Sequence, residues 1–161
     1  MKSYRSNFVC FALVLMAATV MFISGCARDA PPPPPTTASI NLVASSDVNP
    51  DASDRPSPIL VRIYELRSAG VFQGTDFFTV LEQDSAVLGG DQVSRWEYQL
   101  EPGQQERLNF TAQPGTGYVG IVAAYRDIEH ARWRAVQALE AHQANDLDVR
   151  VDRSEVSIQR R

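Results

Sequence analysis

The chain is 161 residues long, carries a formal charge of −4 and contains two cysteines and two histidines. That length holds one ordinary domain with a short appendage, and a net negative chain without a basic run is a poor match to nucleic acid. His130 and His142 lie twelve residues apart with no thiols around them, which leaves no zinc-binding pattern.

Met1 to Asn7 carry Lys2 and Arg5 and no acid, and Phe8 to Ile23 follow as 16 uncharged residues broken only by Thr19. A membrane-spanning helix needs about 20 apolar residues, so this run reads as a secretory signal over residues 1–25. Ile23-Ser24-Gly25-Cys26 resembles a bacterial lipobox, which makes Cys26 the acylated first residue of the mature protein. The plainer alternative is an ordinary signal peptide, or an uncleaved anchor, with an incidental cysteine. The order and spacing of head, apolar run and box favour lipidation. Three acyl chains at about 0.8 kcal/mol per buried methylene would anchor the protein stably in lipid, and Ala27 favours sorting to the outer membrane. Removal of residues 1–25 takes away Cys10, Lys2 and Arg5, so no disulfide is expected and the charge becomes −6.

Residues 26–37 read as the lipidated cysteine and a linker. Pro31 to Pro35 have fixed φ and favour an extended rod of about 3.1 Å per residue that would hold a domain off the bilayer. Proline that merely prevents local structure is the alternative reading.

From Ala38 to Arg161 the periodicity becomes that of strands. Ile40, Leu42 and Ala44 share one face, as do Ile59, Val61 and Ile63; Leu60, Arg62, Tyr64 and Leu66 occupy the opposite face of that second strand. Trp96, Tyr98 and Leu100 alternate with Arg95, Glu97 and Gln99, and a turn at "EPGQ" leads to Leu108 and Phe110. "YVGIVAAYRDI" is apolar on both faces and reads as a central strand, with Gly120 as a point of close packing. "RWRAVQALE", "LDVRV" and "EVSIQ" complete about eight strands. Near residues 74–90 the pattern turns helical, with Thr75 as N-cap, Phe77, Phe78 and Leu81 on one face, and Gly89 and Gly90 as the stop. The predicted fold is an all-β, two-sheet β-sandwich with a small helical insertion. Trp96 and Trp133 read as core.

The residues that invite a functional reading lie in "SSDVNPDASDRPSP", 45–58, a long connection where a tight turn would have sufficed. Asp47, Asn49 and Asp51 mimic the opening of a calcium loop, but Ala52 replaces the required glycine and Pro58 the closing glutamate. A rigid turn or a partner-binding loop fits better. Asp127, Glu129 and His130 could be drawn as the acid–base cluster of a periplasmic hydrolase, yet no nucleophile motif accompanies them. No metal, cofactor or catalysis is expected. A lipid-tethered module for a small ligand or peptidoglycan remains the main alternative to a protein-binding role.

"NPDASDRPSPILVRIYEL", "TDFFTVLEQD", "VLGGD", "LEPG" and "VAAYRDIEHARWRAV", in this order, resemble the type VI secretion lipoprotein family TssJ, also called SciN or VasD. The resemblance covers about residues 36–160 and includes the lipobox. It departs at Asp54, where glycine is expected, and at Gln92, where an apolar residue is common. It implies a transthyretin-like sandwich of two four-stranded sheets. It also implies an outer-membrane lipoprotein that faces the periplasm and binds the periplasmic region of TssM, itself paired with TssL in the inner membrane. The family's partner contact is attributed to the loop between its first two strands, here 46–58. Asn49, Asp51, Asp54 and Arg55 are the expected polar contacts, and Pro50, Pro56 and Pro58 limit the loop's conformations.

Overall fold

Alternating apolar residues build two antiparallel-rich sheets whose inner faces meet in the core. In the computed structural model residues 31–161 are described; the signal segment, Cys26 and the start of the linker lie outside them. The strands are β1 (Thr37–Ala44), β2 (Ile59–Leu66), β3 (Gln92–Leu100), β4 (Gln105–Thr111), β5 (Tyr118–Ala123), β6 (Arg134–Ala138), β7 (Ala144–Val151) and β8 (Val156–Arg160). One sheet has the order β4-β1-β7-β8 and the other β3-β2-β5-β6. Within them only the β1–β7 pair is parallel.

The periodicity-two residues fall where alternation places them: Ile40, Leu42, Ile59, Val61, Ile63, Ile121, Leu147 and Val149 are all buried between the sheets. Trp96 stacks at 4.8 Å on Phe110 along one edge, and Trp133 packs against the core from another. β5 is interior, as its two apolar faces predict. Its outer face and that of β2 carry a second apolar cluster of Tyr64, Leu66, Val122 and the helical insertion.

The insertion is longer than its sequence suggests. It comprises α1 (Gly70–Gly74), α2 (Phe77–Glu82), α3 (Asp84–Leu88) and a 3-10 turn at Gly89–Asp91. Asp76, not Thr75, is the N-cap of α2, its carboxylate accepting from the Thr79 N–H at 3.0 Å. Thr75 instead closes α1, its hydroxyl donating to the Val71 carbonyl at 2.7 Å. The buried face of α2 is Phe77 and Val80, while Phe78 is 58% exposed. Successive residues turn about 100°, which swings Phe78 away as Val80 comes round. Phe72 of α1 is fully buried beside Gly120, where an added Cβ would lie 2.8 Å from the Phe72 ring.

Polar anchors fix the excursions to the sheets. Asp84, 5% exposed, accepts from Arg95 at 2.5 Å, from the Tyr64 hydroxyl at 3.2 Å and from the Ser85 N–H at 2.7 Å. Burial alone would raise the Asp84 pKa, but these donors outweigh it and the net shift is downward. Glu65, fully buried, accepts from the Gln113 N–H at 2.7 Å and the Thr116 hydroxyl at 2.6 Å, fastening the β4–β5 turn. At the start of β1, Asn145 donates to the carbonyls of Thr37, Glu140 and Gln143, and the His142 N–H donates to the Thr36 hydroxyl at 2.7 Å. The last linker residues are thereby held to the β6–β7 turn.

Candidate functional site

The β1–β2 loop begins where β1 leaves its sheet. The Ser45 N–H donates to Val151 and the Gly103 N–H donates to Ser45, holding the loop's root to two neighbouring turns. Val48, with no exposed surface, then inserts into the core. Asn49 follows in the left-handed region at φ 48°, which asparagine tolerates better than other non-glycine residues. It is only 4% exposed, and both polar atoms of its side chain are hydrogen-bonded. Its Nδ2 donates to the Pro58 carbonyl and its Oδ1 accepts from the Arg126 N–H, both at 2.8 Å. Its own N–H donates to the Arg153 carbonyl at 3.1 Å. One residue therefore joins the two ends of the loop, the β5–β6 turn and the β7–β8 turn.

Beyond it, Asp51 nucleates a compact turn. Its Oδ1 accepts from the N–H groups of Ser53 and Arg55 at 2.8 and 3.1 Å, and its Oδ2 meets the Arg55 guanidinium at 2.7 Å. The Arg55 side chain and these amides hold the Asp51 carboxyl down at about 2. Asp54 takes φ 64°, the strained position at which the family resemblance leads one to expect glycine, and its carboxylate pairs with Arg153. Of the residues predicted to meet a partner, Asp54, Arg55, Pro56 and Pro58 are exposed, Pro50 and Asp51 are half-buried, and Asn49 faces inward. Asp47, Asn49 and Asp51 do not converge on a calcium position: Asp47 accepts from the Ser45 hydroxyl at 2.7 Å, and the other two are committed as described.

The loop overhangs a groove of about 650 Å³ whose opposite wall is the β5–β6 turn, with Arg153 and Ser154 of the β7–β8 turn at one end. The loop is legible in the sequence from its length and its Asn, Asp and Pro content; this second wall is not, because the β2–β5 pairing alone brings it there. In the groove Asp127 and His130 pair at 2.8 Å, and the hydrogen bond to Asp127 raises the His130 pKa. Both side chains are mostly solvent-exposed, at 69% and 78%. Ser154 lines the same groove, but among the described residues no hydroxyl is hydrogen-bonded to the far nitrogen of His130. This is the geometry of a surface ion pair.

Fold and groove together define a two-sheet β-sandwich that carries an internally hydrogen-bonded loop beside a groove lined by three of its turns. The family described as "Type VI secretion lipoprotein, VasD, EvfM, TssJ" matches residues 36–154. The chain belongs to this TssJ family of type VI secretion lipoproteins. It is similar to the lipoprotein TssJ1 from Pseudomonas aeruginosa, with 34% identity and a TM-score of 0.77 over 80% of this chain and 98% of that one. Serratia marcescens Lip, a membrane-bound component of the type VI secretion system, shows 24% identity and a TM-score of 0.73 over 79% of this chain and 98% of its own. A chain of the structure described as the TssM C-terminal domain from EAEC shares 21% identity and a TM-score of 0.61, over 77% of this chain and 98% of that one, a likeness of fold alone. No curated protein matches the chain.

Proposed function

We propose that the protein is a non-catalytic tether of the type VI secretion envelope complex, acylated at Cys26 in the outer membrane and facing the periplasm. It binds the periplasmic region of TssM, and through it reaches TssL. Family membership supplies the partner class. The observation that carries the mechanism is the internal lacing of the 46–58 loop, which exposes Asp54, Arg55 and Pro56 on a turn already held in shape. A pre-ordered loop loses little conformational entropy on docking, so more of the contact energy appears as affinity.

Deleting the whole loop would remove Val48 and Asn49 from the core and damage the fold. A sharper test changes only its exposed tip. Arg55→Ala combined with Pro56→Ala is expected to weaken binding to the TssM periplasmic region by at least about tenfold, a loss of about 1.4 kcal/mol. Unchanged affinity in calorimetry would remove the loop from the interface. Cys26→Ser should move the protein from the membrane to the soluble periplasmic fraction, and retention in the membrane would refute acylation as the anchor.

A further inference from the structure

We infer that the docking surface is composite, and that Arg126, on the turn opposite the loop, is the seat for a carboxylate side chain of the periplasmic partner. This rests on the docking reading above and names the part of the surface the loop does not supply.

The charges around the groove are almost all matched internally. Asp51 is held by Arg55, Asp54 by Arg153, and Asp127 by His130. Glu129, in the same turn, is not among the residues that line the groove. Arg126 is exposed and lines it, and among the described residues its guanidinium has neither a hydrogen bond nor an ion pair. Its backbone, by contrast, is fixed, because its N–H is the donor to the buried Asn49 side chain. The result is a cation on a rigid base with its five donors uncommitted. The carboxylates in the groove lining, Asp51 and Asp127, each already accept from a neighbouring side chain. An incoming carboxylate meets a matching planar fork at Arg126, whereas an incoming cation finds no uncommitted carboxylate in the groove lining.

About 650 Å³ is more room than a lone ion needs and lies in the range of sites that take a drug-sized group, enough for a carboxylate side chain with its flanking atoms. Pro50 and Ala52 on one wall and Tyr125 on the other offer apolar contact beside the charge. The loop tip and this groove are contiguous, so one acidic segment of the partner can engage both.

Calorimetry of the full-length lipoprotein in detergent against the TssM periplasmic region tests this. Among the described residues the Arg126 side chain makes no hydrogen bond or ion pair, and the Asn49 bond uses only its backbone, so Arg126→Ala and Arg126→Glu should melt like the parent. Arg126→Ala should weaken binding at least about tenfold and Arg126→Glu more. One acid-to-lysine change in the partner should restore affinity to Arg126→Glu but not to the parent. If Arg126→Glu binds normally while the Arg55 and Pro56 changes abolish binding, the docking reading stands and this inference is overturned. If Arg126→Glu loses binding and no partner change rescues it, the carboxylate assignment is overturned. If neither set of variants weakens binding, the docking reading itself fails.

Discussion

The Asn49 side chain accepts a hydrogen bond from the backbone N–H of Arg126, 77 positions away, while donating to the Pro58 carbonyl nine positions away. This buried amide fixes the distance between the loop and the opposite wall of the groove. Asn49→Ala would leave the part-buried Arg126 N–H and Pro58 carbonyl without this partner and would place a side chain that makes no local hydrogen bond at positive φ. The expected cost is about 2–3 kcal/mol, measurable by urea denaturation. Asn49→Gly removes the φ strain but not the orphaned groups, so it should recover only part of the loss. Full recovery would mean that backbone strain, not the bridge, makes Asn49 necessary.

Gln92 stands at the β2–β3 irregularity opposite Leu66, and its Oε1 is buried without a hydrogen-bond partner among the described residues. This is the position at which the family resemblance leads one to expect an apolar side chain. Gln92→Leu should therefore stabilise the fold by about 1 kcal/mol, since an unmatched buried acceptor is removed and apolar surface is added. A lower denaturation midpoint in Gln92→Leu would show that the amide has a partner in solution.

The strands were legible because alternation is a local property: Ile40 and Leu42, or Trp96 and Tyr98, need only their neighbours to declare a face. Gly120 was legible too, as an interruption in an otherwise bulky strand, and Phe72 fills the space it leaves. The α1 helix was not, since five residues bounded by glycines carry no periodic signal and Phe72 alone marks its purpose. The outward position of Phe78 is not legible, because Phe77, Phe78, Val80 and Leu81 are all apolar and only the cap at Asp76 fixes which of them points inward. The loop could be read from its length and its Asn, Asp and Pro content. Arg126 could not, because its place opposite the loop depends on the order in which β2 and β5 pair.

Asp84 gives the fold an acid-sensitive element. Its folded pKa lies below the ordinary value of 3.8, despite burial, because Arg95, the Ser85 amide and Tyr64 favour the ionised form. A carboxyl depressed in the folded state contributes stability that is fully present above the unfolded pKa and is lost as pH falls through the folded one. Asp84→Asn should therefore be less stable than the parent by about 2 kcal/mol at pH 6. The difference should shrink as pH falls below about 4. A difference that stays constant from pH 7 down to pH 3 would show that the carboxylate's charge contributes nothing.

If the linker anchors in lipid and the loop grips a partner, tension between the two runs along β1, because the linker joins it at Thr37 and the loop leaves it at Ala44. β1 is interior to its sheet and is bonded throughout its length to β4 on one side and β7 on the other. Pulling it lengthwise loads those hydrogen bonds together, in shear. The C-terminal residue Arg161 gives a different geometry: its N–H donates to Asp146, near the same end of the sheet as Thr37. Tension applied between residues 35 and 161 would therefore open the sheet one bond at a time from that end. Forced unfolding reads the barrier, not the equilibrium stability, so the two geometries should differ even in the same molecule. Optical-trap handles at Pro35 and Ser53 are expected to require a higher unfolding force than handles at Pro35 and Arg161. Equal forces in the two geometries would show that β1 is not the mechanical link between linker and loop.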